Sequence, residues 1–155
     1  MVITLQEEIK QTKPFSSLEQ EAHLSVIRTA AILADEVEQF LRPFGITGTQ
    51  YNVLRILRGS EPGGLCRNEV RDRMLTRMPD MTRLLDRMEE AGLVVRNREQ
   101  DDRRMVLTRI SEQGQKLLAE IDDAVQTRHK NRFSGLSDAE LRAVIEILAK
   151  VRQKG

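Results

Sequence analysis

Residues 79–110 read PDMTRLLDRMEEAGLVVRNREQDDRRMVLTRI, and this stretch predicts one amphipathic helix followed by a β-hairpin. Pro79 suits the first position of a helix, and Gly92 suits the residue just after a helix ends. Four apolar residues between them recur at the i, i+3, i+4, i+7 spacing of a single helical face: Met81, Leu84, Leu85 and Met88. This helix therefore buries one face and leaves a polar, basic face in solvent.

The outward face of this helix follows from the rotation of about 100° per residue. Four residues point away from the apolar face: Pro79, Arg83, Asp86 and Glu90. Asp80, Thr82 and Arg87 lie on its flanks. Met78, which precedes Pro79, has no hydroxyl, so the sequence predicts an uncapped helix start at a cost of about 1 kcal/mol. We expect Asp80 to stabilise the helix N-terminus by its charge rather than to accept a hydrogen bond from cytosine.

Two strand-like segments follow the helix, at 93–98 and 104–110, and the polar turn 99–103 joins them. Their content of β-branched residues is typical of a hairpin. Three short helices followed at once by a hairpin is the order of a winged helix-turn-helix. In that arrangement the third helix enters a major groove about 12 Å wide, and the hairpin reaches the adjacent minor groove.

The rest of the chain predicts further helices. A helix of about thirty residues spans 15–44, with capping boxes that begin at Ser16 and Ser17. Its apolar arc is wider than one neighbouring helix would cover, so it is expected to pack on two surfaces. A short helix places Val70 and Met74 one turn apart. Three other helix starts carry a capping residue: Thr47, Ser111 and Ser137.

Every basic residue between positions 67 and 109 is an arginine, at 67, 71, 73, 77, 83, 87, 96, 98, 103, 104 and 109. These eleven arginines face nine acidic residues in the same span, and the net charge of the whole chain is +1. Bulk charge is therefore too weak to attract a polyanion by itself. Binding to DNA would depend on the arginines that face it, which are Arg83 and Arg87 on the helix and Arg103 and Arg104 at the turn.

The composition excludes several classes of protein. One tyrosine, four phenylalanines and no tryptophan supply too little aromatic surface for a platform that stacks single-stranded nucleic acid. Cys66 is the only cysteine, which excludes an intrachain disulfide and a CxxC pair, and we expect a packed, inert thiol. His23 and His129 have no neighbours at metal-ligand spacing, so no metal site or cofactor is expected. No nucleophile with a base and no phosphate-binding loop is found, so the sequence predicts no enzyme.

The expected location is the cytoplasm. The first fifteen residues lack the basic start and apolar core of a signal peptide. The longest apolar run, residues 30–34, is far shorter than the roughly 20 residues of a membrane span.

Several motifs point together to one family. The most specific are DRR at 102–104 and LTRISEQG at 107–114. ITxxQYxVL at 46–54, MTRLLDRME at 81–89 and GLVxR at 92–96 support them. In this order and spacing, the chain resembles the MarR family of bacterial transcriptional regulators from about residue 16 to residue 152.

The resemblance implies a mainly α fold with a small β-hairpin wing. Its winged helix-turn-helix DNA-binding domain would cover 46–110, and a helical dimerisation region would cover 15–45 and 111–153. The implied protein is a homodimer that reads a palindromic operator in double-stranded DNA. Most members are repressors, and a small-molecule effector would lower the affinity for DNA. Arg104 would enter the minor groove, and Asp102 would steady the wing.

The predicted site has two parts. The DNA-binding set is Arg77, Pro79, Asp80, Thr82, Arg83, Arg87, Arg103 and Arg104. The dimerisation stripe on the last helix is Leu141, Val144, Ile145, Leu148 and Val151. The effector site is not assigned to residues.

Two alternatives stay open. The arginines at 83 and 87 could form an ordinary solvated face, paired along the helix with Glu90 and Asp86. The winged helix could also have given up DNA and use the same faces to bind a protein.

Overall fold

The computed structural model describes residues 1–102 and 104–153. The chain divides into two compact units, Met1–Val53 and Leu54–Gly155, and the division falls within one helix. No helix in the described ranges is long and apolar enough to cross a membrane.

The first unit is helical. Helix α1 is a single turn, Leu5–Glu8, which the sequence did not predict, and Thr4 caps it. Helix α2 spans Leu18–Leu41, shorter at both ends than the predicted 15–44. It begins where the Ser17 hydroxyl accepts a hydrogen bond from the Gln20 amide at 3.1 Å. It ends because Pro43 lies in the 3₁₀ turn Arg42–Phe44, which tightens the chain before Gly45 at φ +74°.

Helix α3, Gly48–Arg58, contains the division between the units. The predicted capping box is present, since the Thr47 hydroxyl accepts from the Gln50 amide and the Gln50 side chain accepts from the Thr47 amide, at 3.1 and 3.0 Å. Reciprocal bonds of this kind satisfy two amides that would otherwise lack partners at a helix start.

The second unit combines four helices with a small sheet. The helices are α4 (Arg67–Asp72), α5 (Met81–Glu90), α6 (Glu112–Arg132) and α7 (Asp138–Gln153). The strands are β1 (Leu65–Cys66), β2 (Val94–Arg98) and β3 (Val106–Ile110), in the antiparallel order β1-β3-β2. The predicted hairpin is confirmed. The prediction of a hairpin alone was incomplete, because β1 adds a third strand of only two residues, too short to show an alternating pattern.

The register of the sheet determines which side chains face the helices. Arg96 and Leu65 both pair with Thr108, and Val94 pairs with Ile110. Directly paired residues in an antiparallel sheet lie on the same face. Because Leu65, Val94 and Ile110 are buried core residues, this face is the inner one, and Arg96 belongs to it.

The start of α6 packs closely on the hairpin. Gly114 leaves no room for a side chain, since a Cβ there would lie 2.5 Å from the Leu93 carbonyl oxygen and 2.9 Å from Ile110 Cγ1. The Ser111 hydroxyl accepts from the Gly114 amide and donates to the Gly92 carbonyl, at 3.0 and 2.6 Å. One side chain thus joins the start of α6 to the turn that follows α5.

Helix α5 begins later than predicted. Asp80, not Met78, is the N-cap, and its carboxylate accepts from the Arg83 amide at 3.1 Å. The prediction that Pro79 opens the helix and that its start lacks a cap was therefore wrong. The expected stabilisation of the N-terminus by Asp80 is present, but through a direct hydrogen bond. Gly92, at φ +76°, follows the last turn as predicted.

Helix α7 has no buried residue. Its apolar stripe is accessible, with Val144, Ile145 and Val151 exposed by 40%, 67% and 63%, whereas Leu141 and Leu148 are half-buried. In the first unit, Val26 and Ile27 of α2 are also exposed. Both helices carry apolar surface beyond what a single chain covers.

Candidate nucleic-acid interface

Helix α5 separates its two faces as its periodicity predicts. Met81, Leu85 and Met88 are buried, and Leu84 is half-buried. Thr82, Arg83 and Arg87 are exposed on the other side. Arg77 and Pro79 are exposed in the segment that leads into the helix. The basic face is therefore accessible along the N-terminal half of α5.

Asp86 is the exception on this face. The sequence predicted it to point outward, but it is half-buried because the Arg96 guanidinium lies against it, with Arg96 Nη2 2.6 Å from Asp86 Oδ1. The alternative in which Asp86 pairs with Arg87 along the helix is not supported, because the described contacts of Asp86 include Arg96 but not Arg87. Periodicity within one helix could not show that a strand supplies the partner.

Nine of the eleven arginines between positions 67 and 109 fall into two groups by the contacts of their guanidinium groups, and Arg98 also makes an intramolecular interaction. Those in the first group have intramolecular partners: Arg67 with Thr82, Arg71 with Asp72, Arg73 with Ser60, Arg96 with Asp86 and Glu89, and Arg109 with Glu61. Those in the second group have guanidinium groups without a hydrogen bond or ion pair to any described residue: Arg77, Arg83, Arg87 and Arg104. All four belong to the DNA-binding set predicted from the sequence.

The tip of the wing is organised by Asp102. Its carboxylate accepts a hydrogen bond from the Arg104 amide at 3.0 Å, and its carbonyl accepts from the Met105 amide at 3.0 Å. The Glu99 amide donates to the Met105 carbonyl at 2.9 Å and closes the turn. These bonds fix the backbone at Arg104 and leave its side chain exposed. Arg103, also predicted to bind DNA, lies outside the described residues.

A cleft of about 500 Å³ runs between the start of α4, the helix α5 and the sheet. Its lining is Cys66, Arg67, Asn68, Thr82, Leu85, Arg96, Asp102, Arg104, Met105, Val106 and Thr108. Thr82 and Arg104 therefore border one concave surface. Cys66, expected to be packed, is half-buried at the edge of this cleft.

Sequence reasoning did not single out Arg67 and Arg96 in this cleft. Arg67 Nη1 donates to Thr82 Oγ1 at 2.7 Å and so ties α4 to α5. The pairing of Arg96 with Thr108 places Arg96 on the inner face of the sheet. The strand register of the predicted hairpin would have placed Arg96 on the inner face. The helical periodicity from which the DNA-binding residues of α5 were predicted carries no information about a strand.

The ion pair between Arg96 and Glu89 shifts the pKa of both groups. The hydrogen bond from Arg96 Nη2 to Glu89 Oε1, at 3.0 Å, raises the pKa of Arg96 and lowers the pKa of Glu89. The contact with Asp86 is shorter but contributes less to the pKa of Arg96. The shifts of Arg96 and Glu89 both favour the charged forms of this pair, and the same guanidinium also lies against the Asp86 carboxylate.

The search for a metal site was negative in the part of the chain that the structure describes. No group of three His, Cys, Asp or Glu side chains there could hold a metal ion. The predicted dimerisation stripe lies on α7, which is remote in sequence from the basic face. The accessible basic residues lie on α5 and at the wing.

Comparisons with known proteins agree with this geometry. A model of the MarR family matches residues 44–105. A MarR transcription factor from Planctomyces limnophilus is 34% identical, with coverage of 88% of this chain and 98% of that one and a TM-score of 0.67. The HTH-type transcriptional regulator FarR of Neisseria gonorrhoeae is 27% identical over 89% of this chain and 93% of its own. MepR of S. aureus, in a crystal structure with DNA, shares the fold at 23% identity, with coverage of 84% and 96% and a TM-score of 0.76.

Proposed function

The chain belongs to the MarR family of transcription regulators, and from this premise we propose that it is a homodimeric repressor that binds a palindromic operator in double-stranded DNA. One observation carries the proposal. The four arginines without described intramolecular partners lie before α5, on its outer face and at the wing tip. Arginine that is not engaged by the protein is available to phosphates and base edges.

Each part of the interface has a distinct role in this proposal. Arg83 contacts guanine in the major groove, because it lies on the outer face of α5. Arg104 enters the minor groove from the wing, and Asp102 supports the turn that presents it. Arg103 belongs to the same turn in the proposal.

Five further residues position the helix on the DNA backbone. Arg77 and Arg87 bind phosphates, and Pro79 shapes the approach to α5. The Thr82 hydroxyl accepts a hydrogen bond from Arg67, so its proton remains available for donation to a phosphate oxygen. Asp80 belongs to the interface as the cap that holds the N-terminus of α5 in place, not as a contact to a base.

We propose that the dimer forms through the helices outside the winged domain. The winged helix-turn-helix domain would cover 46–110, and the dimerisation region 15–45 and 111–153. The accessible stripe of Leu141, Val144, Ile145, Leu148 and Val151 supports this division. Burying a side chain of this size contributes about 1.5–3 kcal/mol, so covering the stripe in a dimer is strongly favourable.

Release of the operator by a small-molecule effector completes the proposal, and it rests on membership of the family. The relatives compared above are transcription regulators, and we propose no catalytic activity and no cofactor for this chain. We propose a cytoplasmic location, because that is where a regulator of this family would meet its DNA. The competing proposal is a winged helix that binds only protein. The arginines whose side chains have no partner in the described chain argue against it, because they are available to DNA.

The test is fluorescence anisotropy with labelled duplexes from the DNA that flanks the gene, at two salt concentrations. A panel of single-base variants of the bound duplex then distinguishes contacts in the major groove from contacts in the minor groove. Arg83→Ala should flatten the preference at one position per half-site, worth about 1–3 kcal/mol per wrong base. Arg104→Ala should weaken all major-groove variants about equally, because the minor groove distinguishes mainly A·T from G·C.

Lys116→Ala is the matched control, since it also removes one positive charge, from the exposed surface of α6. It should leave the whole panel unchanged. Wild-type protein that binds no duplex above nonspecific level would refute the proposed function and favour the protein-binding alternative. An unchanged base preference in Arg83→Ala would refute the orientation assigned to α5.

A further inference from the structure

Arg96 connects the wing to the DNA-facing helix. It lies on β2, on the inner face of the sheet, and its side chain is 22% exposed. Its Nη2 atom donates to Asp86 at 2.6 Å and to Glu89 at 3.0 Å. Both carboxylates belong to α5, three positions apart, so the guanidinium spans almost one turn of that helix.

The position of this contact matters for the two arginines assigned to different grooves. Arg83 is carried by α5, and Arg104 lies at the tip of the hairpin whose strand β2 carries Arg96. The hairpin is held by a regular ladder from Val94 to Arg98, so it turns as one piece. A rotation of the wing relative to α5 therefore has to break the contacts of Arg96.

We propose that Arg96 is a positioning residue that fixes the angle between α5 and the wing, so that Arg83 and Arg104 reach the same DNA site together. The inference rests on the proposed function. It adds a residue that touches no DNA but determines how the two grooves are engaged at once. Base contacts depend on atomic positions within a few tenths of an ångström, so a loose wing would forfeit the second contact.

A simpler role for Arg96 makes an opposite prediction. If Arg96 only neutralised Asp86 and Glu89, removing both carboxylates would make the interface more positive and strengthen binding to DNA. If Arg96 positions the wing through them, the same double substitution weakens binding despite the more favourable charge. The variant Asp86→Ala/Glu89→Ala thus separates the two roles by the sign of its effect.

The decisive measurement is the coupling between Arg96 and Arg104. In the wild-type background, Arg104→Ala should weaken binding to the operator duplex about tenfold, as expected for a good arginine contact. In an Arg96→Gln background, Arg104→Ala should weaken binding to the duplex only about twofold. The reason is that a wing without its contact to α5 has already lost much of the contact between Arg104 and DNA. Arg96→Lys, which keeps the charge and one hydrogen bond, should restore part of the effect.

Arg109→Gln is the matched control on the same hairpin. It breaks an ion pair with Glu61, at 2.9 Å, that does not involve α5. Both Arg96→Gln and Arg109→Gln are expected to lower thermal stability, but only Arg96→Gln should change the effect of Arg104→Ala. If Arg96→Gln does not fold, Arg96→Lys and the double alanine variant carry the test.

The outcomes are distinguishable from those of the proposed function. An equal effect of Arg104→Ala in wild-type, Arg96→Gln and Arg109→Gln backgrounds would overturn the positioning role and leave the proposed function standing. Stronger binding by Asp86→Ala/Glu89→Ala would overturn it as well. A wild-type protein without specific binding, or one indifferent to Arg104→Ala, would overturn the interface itself and this inference with it.

Discussion

Replacement of Gly114 by alanine tests how tightly α6 is seated on the hairpin. The added Cβ would lie 2.5 Å from the Leu93 carbonyl oxygen and 2.9 Å from Ile110 Cγ1. Ordinary van der Waals contacts of a Cβ begin at 3.4 Å, so the Leu93 oxygen would have to move by about 0.9 Å and Ile110 Cγ1 by about 0.5 Å. The Leu93 carbonyl also accepts from the Ser111 amide at 3.0 Å, so its displacement strains that hydrogen bond too.

The expected loss of stability follows from opposing contributions. Overpacking of this kind costs about 1–3 kcal/mol, and weakening a hydrogen bond adds about 1 kcal/mol. The higher helix propensity of alanine offsets about 1 kcal/mol of this loss. The net loss is therefore about 1–3 kcal/mol, which for a chain of this size lowers the Tm by about 2–12 °C.

Thermal unfolding followed by circular dichroism measures this change. Gly135→Ala is the control, because no atom lies within 4 Å of its added Cβ and its φ is not in the left-handed range. That variant should match wild type or gain up to about 1 kcal/mol. If Gly114→Ala and Gly135→Ala unfolded at the same temperature, the close seating of α6 described above would be wrong.

Three further predictions concern the cap, the dimer and pH. Asp80→Ala should lower the free energy of unfolding in urea by about 1 kcal/mol while Asp80→Asn, which keeps an acceptor, should not, so an equal loss in both would argue against capping. Ile145→Asp should give a monomer by light scattering, whereas an unchanged dimer mass would exclude the α7 stripe as the interface. The hydrogen bonds from Arg58 lower the pKa of Asp122 below its ordinary 3.8, so this pair stabilises the fold above that value and its contribution disappears as the pH falls through the lowered pKa. The Tm difference between wild type and Asp122→Asn should therefore shrink below about pH 3.8, and a difference that stays constant to pH 2 would contradict the assignment.

The elements with strong periodicity were predictable from the sequence. The stripe of Met81, Leu85 and Met88 gave the buried face of α5 correctly, and the hairpin followed from its two strand-like runs. The start of α5 was not predicted correctly, because two local rules competed there. A proline suits the first turn of a helix and an aspartate suits its N-cap, and the side-chain hydrogen bond of Asp80 determined the outcome.

Contacts between distant elements were harder to predict. The two residues of β1 carry no pattern of their own and become a strand only because they pair with Thr108 and Leu107. Arg96 looked like one basic residue among eleven until the register placed it under α5. In contrast, the four arginines left without described partners were found from the sequence, because exposure on a helix face or at a turn is a local property.

The hydrogen bonds of Ser111 couple the orientations of α5 and α6 in the second unit. Its hydroxyl holds the turn after α5 and the first turn of α6 together, so a tilt of one helix is passed to the other while these bonds last. Helix α6 has 21 residues and is about 30 Å long, so a sideways shift of about 3 Å at its far end is a rotation of about 6°. Helix α5 has 10 residues, and the same rotation moves its N-terminal end by about 1.5 Å. A displacement of that size exceeds the tolerance of a hydrogen bond to a base, so a small movement far along α6 would be enough to lift Arg83 away from the base contact proposed for it.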